Sequence, residues 1–239
     1  MEKLNIRILT PIVAAILVAF SSEALAGQGF RFNSKQPVVQ QKRMKAYAFG
    51  YGGLDFGAGY ETTGRFDYIA TEIPIDFDLK NGWTAGGGLG VYSGLLGGSR
   101  FEVEGSYTAN DVGYLTYTGF QLPADFEMTT AAVMFNILKE IPLGQDGAVG
   151  YFGGGVGFAE TEMNGNIDTI QYSDSSGGFA WQLIAGVDFP VTERLAIFMQ
   201  YRYMVLSDRD FTTDFGDFTF VTDEKPYSSA VMVGARVSF

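Results

Sequence analysis

The sequence predicts an all-β fold: an eight-stranded antiparallel up-and-down barrel that crosses a membrane with strands instead of helices. Three observations predict it. Glycine and aromatic residues are both abundant, with 32 Gly, 21 Phe, 13 Tyr and 2 Trp in 239 residues. That glycine share is nearly twice the roughly 7% average, with neither a collagen period nor many prolines. From Lys45 onward, eight segments rich in β-formers carry period-two alternation. The connections between them alternate long and short, which collects the long loops at one end of the barrel and the tight turns at the other.

The first 26 residues read as a secretory signal peptide. Lys3 and Arg7 supply a positive start, Ile8 to Phe20 an apolar core, and Ala24-Leu25-Ala26 a small-x-small cleavage pattern. The core is shorter than the roughly 20 residues a spanning helix needs, and no later run of the chain is long and apolar enough to be a second candidate. Residues 27–44 hold Arg31, Lys35, Lys42 and Arg43 and no acid, so they read as a polar, basic periplasmic leader. Residues 45–239 form the barrel.

The eight strands are expected over residues 45–54, 82–92, 100–108, 126–139, 149–159, 178–189, 194–206 and 228–239. In the third, Phe101, Val103 and Tyr107 stand opposite Arg100, Glu102, Glu104 and Ser106. The sixth sets Phe179, Trp181, Leu183, Ala185, Val187 and Phe189 against Ala180, Gln182, Ile184, Gly186 and Asp188. The seventh sets Ile197, Met199, Tyr201 and Tyr203 against Gln200 and Arg202, and the last sets Val231, Val233, Ala235, Val237 and Phe239 against Met232, Gly234, Arg236 and Ser238. A soluble sandwich alternates in the same way. Loop sorting separates the two. Residues 55–81, 109–125, 160–177 and 207–227 are long connections; residues 93–99, 140–148 and 190–193 are short ones.

Charge follows the same partition. The net charge is −11, and it survives removal of the leader peptide, which carries Glu2, Glu23, Lys3 and Arg7. Acids crowd the four long connections, which contain only Arg65, Lys80, Arg209 and Lys225 as bases. So acidic a chain is a poor partner for nucleic acid, whose phosphates need clustered Lys and Arg. The absence of Cys and His excludes disulfides, thiolate metal sites, Ser-His or Cys-His triads and the usual zinc sites.

The runs Tyr151-Phe-Gly-Gly-Gly-Val-Gly-Phe-Ala159, Trp181-Gln-Leu-Ile-Ala-Gly-Val-Asp-Phe189, Leu195-Ala-Ile-Phe-Met-Gln-Tyr-Arg-Tyr203 and Val233-Gly-Ala-Arg-Val-Ser-Phe239 resemble the OmpA-like, opacity-protein-like family of eight-stranded outer-membrane barrels. The resemblance covers about residues 45–239 and implies a bacterial outer-membrane location amid lipid and lipopolysaccharide. It implies that Val233, Ala235, Val237 and the terminal Phe239 form the signal read by barrel-assembly machinery. Family members include surface antigens, adhesins and narrow pores. With the chain stopping at Phe239, the wall-anchoring role of two-domain relatives is not expected.

Candidate chemistry is sparse. The runs Gly86-Gly-Gly-Leu-Gly90 and Gly153-Gly-Gly-Val-Gly157 lack the Gly-Lys-Ser/Thr of a phosphate cradle and read as clearance for large lumen side chains. Glu102 and Glu104 share a strand face, as paired hydrolase carboxylates would. On the barrel reading that face is the lumen, where Arg100, Glu102, Glu104, Gln182, Gln200, Arg202 and Arg236 would form a polar network, because buried charges require partners. Eight strands leave an interior just filled by side chains, so a plug is expected and an open channel is not. The fourth long connection interleaves Asp208, Asp210, Asp214 and Asp217 with Phe211, Phe215 and Phe218; it lacks the ligand spacing of an EF-hand and reads as a solvated loop or, with residues 57–78, as a surface for a host or envelope partner. Tyr47, Trp83, Tyr92, Tyr107, Trp181, Tyr201, Tyr203, Tyr227 and Phe239 are placed in interfacial girdles, with a sugar-binding platform as the alternative. No cofactor or metal is expected. A structural or surface-antigen scaffold is favoured over a narrow gated pore, and both over an outer-membrane enzyme, since the enzymatic barrels of this kind rely on histidine.

Overall fold

The computed structural model describes residues 45–57, 60–66, 69–93, 98–117, 120–143, 147–167, 170–206, 212–214, 218–221 and 227–239. The expected signal peptide and basic leader, residues 1–44, lie outside the described residues. Eight strands close into an all-antiparallel barrel: β1 Lys45–Asp55, β2 Gly82–Ser93, β3 Ser99–Tyr117, β4 Phe120–Leu143, β5 Ala148–Ile167, β6 Ile170–Pro190, β7 Leu195–Leu206 and β8 Tyr227–Ser238. Each pairs with its neighbours in sequence, and β1 pairs with β8 from Tyr47↔Ser238 to Asp55↔Ala230, so the barrel wall has no edge.

Alternation decides which face each strand turns inward. On β3, Arg100, Glu102, Glu104, Ser106 and Thr108 are buried while Val103 and Tyr107 are exposed; on β4, Met134, Asn136 and Leu138 are buried while Val133, Phe135 and Ile137 are exposed. The outward face is thus apolar, with lipid in place of water as its partner, and the inward face carries the charged and polar side chains together with apolar ones such as Met134 and Leu138. Strand β1 does this differently. Tyr47 and Tyr51 turn inward, and the outward positions are the small Ala46, Ala48, Gly50 and Gly52, with Leu54 the one large apolar residue among them.

Tight turns join the strands at the end where both chain termini of the barrel lie. Gly98 and Gly147 sit in two of them with φ of +83° and +79°, a region that glycine enters without steric cost. In the third turn the Val191 and Thr192 amides both donate to the Leu195 carbonyl, at 2.8 and 3.0 Å.

The long connections differ from the loops expected of them. β3 to β6 run 19 to 24 residues, because the second and third long connections are continuations of the strands into hairpins. At about 3.3 Å per residue a strand of that length runs far beyond an apolar band about 25 Å tall, even tilted by 35–45°. The first connection forms its own strand pair, Tyr60–Phe66 and Ile69–Leu79, and the fourth forms Thr212–Asp214 and Phe218–Val221. These pieces are stitched together. Phe218–Val221 pairs with residues 63–66, and Ile69–Leu79 pairs with the upper part of β3 from Ile75↔Tyr117 to Leu79↔Val112. Above the barrel, the first and fourth connections therefore share one sheet with the β3–β4 hairpin.

Candidate functional site

The barrel interior is the one place where charged side chains converge among the described residues. Besides Asp55, it holds three guanidinium groups, Arg100, Arg202 and Arg236, and the three carboxylates that pair with them, Glu102, Glu104 and Asp188, none more than 5% exposed. Inward alternation on β3, β6, β7 and β8 delivers these six to the lumen.

They form two layers. In the layer nearer the tight turns, Asp188 Oδ2 accepts from Arg100 NH1 at 2.9 Å and also from Arg236 NH1. Arg236 NH2 lies 3.6 Å from Glu102 Oε1, which accepts the Tyr47 hydroxyl at 2.6 Å. Arg100 Nε faces Glu140 Oε1 at 3.4 Å, at the less buried margin of the layer. Aromatic rings wall this layer: the Arg100 guanidinium lies 4.1 Å from the Tyr151 ring centre, and that of Arg236 lies 5.0 Å from those of Tyr47 and Phe198.

In the layer nearer the long hairpins, Glu104 is the hub. It accepts from Arg202 NH1 at 3.1 Å, Asn136 Nδ2 at 2.7 Å, Gln182 Nε2 at 3.2 Å and the Tyr51 hydroxyl. Arg202 also donates to the Tyr51 hydroxyl at 3.0 Å and to Thr84 Oγ1 at 2.9 Å. Tyr151 donates to Gln200 Oε1 at 3.0 Å, from the first layer toward the second. Above both, Ala132, Met134, Ala159, Ala180, Met204 and Leu206 form an apolar cluster, while Asp55 binds Asn110 at 3.0 Å and Ser228. Each arginine is thereby paired with a carboxylate, and Asp55 is held by hydrogen bonds, as a medium of low dielectric demands.

Of the residues singled out from sequence, Arg100, Glu102, Glu104, Gln182, Gln200, Arg202 and Arg236 all lie in this interior. Several equally central residues escape sequence reasoning. Asp188 joins two arginines, and Asn136, Tyr51, Tyr151 and Thr84 complete the hydrogen bonds. The expected girdle needs correction at two positions. Tyr47 is 1% exposed inside the lumen, and Tyr92 turns inward beside it with ring centres 4.6 Å apart. The signal that marks Tyr47 is the glycine across the strand: a Cβ on Gly90 would come within 2.3 Å of the Tyr47 ring. Tyr201, though on the outward side of β7, is covered by its neighbours to 6% exposure. The Trp83 and Tyr107 rings meet at a tilt with centres 5.6 Å apart, and Trp181, Tyr203 and Tyr227 form a chain at 6.1 and 5.7 Å near the hairpin end of the wall.

On β8, Val233, Ala235, Val237 and Phe239 face outward, and the Phe239 amide donates to the Ala46 carbonyl at 3.0 Å. Of the loop residues, Asp214 and Phe218 belong to the short strands of the outer sheet, whereas Asp208, Asp210, Phe211, Phe215 and Asp217 lie outside the described residues.

A family model described as outer membrane protein beta-barrel domain matches residues 12–239. A search of curated proteins finds no match. Among solved structures, the outer membrane protein OprG from Pseudomonas aeruginosa is similar with a TM-score of 0.51 at 15% identity, covering 83% of this chain and 98% of that one. Neisserial surface protein A gives 0.46 at 13% identity, over 81% and 97%, and the outer membrane protease OmpT from Escherichia coli 0.42 at 8%, over 87% and 100%. The match spans nearly the whole chain and agrees with the closed eight-stranded wall, apolar outside and polar within: the chain belongs to the outer membrane protein beta-barrel domain family, whose place is the bacterial outer membrane.

Proposed function

We propose that the protein is a structural and surface-antigen scaffold, exported by its signal peptide, with a plugged lumen and an acidic outer sheet that meets a host or envelope partner. The observation that carries this reading is the interlocked network of Arg100, Arg202 and Arg236 with Glu102, Glu104 and Asp188 filling the interior. A solute passing through would have to separate buried ion pairs, and an uncompensated buried charge costs about 3–5 kcal/mol. The joining of the first and fourth connections into one sheet supports the second half of the reading, because it presents a continuous surface. Binding functions on rigid scaffolds sit in such connecting segments. With no histidine or cysteine in the chain, the chemistry usual in barrel enzymes has no residues to run on.

Deleting residues 212–221 tests the surface role. The barrel is expected to fold, seen as heat-modifiable migration on a denaturing gel, and whole cells to lose adhesion to host cells or to isolated envelope; adhesion equal to wild type overturns the proposal. A narrow gated pore is the second reading, favoured by Arg100 and Arg236 crowding one oxygen of Asp188 while Oδ1 has no hydrogen-bond partner, which leaves an alternative pairing within reach. Planar-bilayer recording separates the two: stepwise conductance supports the pore, and silence in both wild type and Arg202→Ala removes it.

A further inference from the structure

The outer wall carries a groove of about 910 Å³ across β2 to β6, within the range of small-molecule sites. Its outward-facing floor is made of Ala85, Gly105, Ala131 and Gly177, and its walls are Tyr107, Val133 and Phe158. Register places these side by side: Ala85, Tyr107, Ala131, Glu160 and Gly177 form one cross-strand row, and Gly105, Val133 and Phe158 the next row toward the membrane centre. Phe158 is 73% and Val133 63% exposed, so the walls project from the wall surface and the floor lies between them.

Gly105 differs from the barrel's inward-facing glycines. A Cβ on Gly86, Gly90 or Gly186 would collide with a lumen tyrosine, so those glycines serve interior packing. A Cβ on Gly105 would meet nothing within 4 Å. Nothing in the protein's own packing requires glycine there; the lack of a side chain serves the outside.

We infer that this groove binds an acyl chain of an outer-leaflet lipopolysaccharide. It is continuous with the apolar belt by which the barrel contacts lipid, and its upper row is level with Tyr107, which pairs with Trp83 in the manner of an interfacial girdle. It lies at the end from which the long hairpins rise, the extracellular end of such barrels, where the outer leaflet supplies lipopolysaccharide. The lining is mostly apolar, with Ser106 and Glu160 as its polar exceptions, so a hydrocarbon chain fits better than a polar solute.

Gly105→Leu and Ala131→Phe fill the groove from two strands, and Ala48→Leu adds similar bulk to the lipid face of β1, away from it. Each folded protein is loaded with lipopolysaccharide in detergent, washed, and weighed by native mass spectrometry. Wild type and Ala48→Leu are expected to retain one lipopolysaccharide per barrel, and the two filled variants at least tenfold less. A second measurement uses a background change at a position that does not line the groove: in Trp181→Phe, brominated-chain phospholipid quenches Trp83, and added lipopolysaccharide is expected to relieve that quenching. Equal retention by all four proteins, no retention by wild type, or unrelieved quenching overturns the inference.

Discussion

A glycine in this wall has one of two opposite meanings, and geometry tells them apart. At Gly90 and Gly186 the space that a Cβ would need is already held by the rings of Tyr47 and Tyr151, each hydrogen-bonded in the lumen. Overpacking a filled interior costs about 1–3 kcal/mol. Gly90→Ala is therefore expected to lower unfolding stability by that amount in a urea titration, whereas Gly105→Ala, facing open space, is expected to be neutral or to gain up to about 1 kcal/mol from reduced chain entropy. Equal effects would show that the tyrosines are not fixed in place. The charged residues follow a related logic. Glu104 accepts from Arg202, Asn136, Gln182 and Tyr51, so Glu104→Ala strands a buried guanidinium and is expected to cost about 3–5 kcal/mol. Replacing Glu104 and Arg202 together by Met is expected to cost much less, because it removes the charge along with its partner. Comparing urea midpoints of the two variants checks this.

At the scale of the strand, lipid and lumen impose the period of two that makes an element legible. All eight barrel strands can be read from sequence for that reason, and the seventh and eighth to within a residue of their bounds. The hairpin extensions of β3 to β6 cannot, since outside the membrane both faces of a strand meet water and no alternation is required. The site divides in the same way. Arg202 and Glu104 are visible as charges on an otherwise alternating strand, but Asp188 bridging two arginines and Tyr47 standing inside depend on which strands lie across the lumen. That arrangement is set by the closed cylinder as a whole, not by any strand read alone. The extensions should also be energetically separate. Trimming residues 113–123 from the β3–β4 hairpin, with a two-residue Asn-Gly turn in their place, is expected to leave heat-modifiable migration unchanged while removing the strand on which Ile69–Leu79 is laid. Limited proteolysis on whole cells reads the second effect as new cleavage within residues 60–79.

For the whole molecule, stability is won at closure. Seven of the eight wall contacts join strands that follow one another around the barrel, but the eighth, β1 with β8, joins the first barrel strand to the last across nearly 200 residues. Loop-closure entropy grows only slowly with length, so the cost of this contact is modest beside what it removes: two open edges of unpaired backbone in a solvent that offers no hydrogen bonds. The two lumen layers cross the same seam. Arg236 on β8 reaches Glu102 on β3, and Arg202 on β7 reaches the Tyr51 hydroxyl on β1, so the plug completes its bonds only when the seam is shut. A proline at the seam should thus act globally. Val233 lies between Gly52 of β1 and Met199 of β7, so Val233→Pro costs a ladder hydrogen bond that no water replaces. Ser173 pairs with Asn164 in the extended hairpin, beyond the apolar band, where water can take up a freed backbone group. In refolding into lipid vesicles, Val233→Pro is expected to abolish the heat-modifiable band, and Ser173→Pro to retain it with a urea midpoint close to wild type. A barrel that closes despite Val233→Pro would mean that the other seven contacts suffice and that the seam does not govern folding.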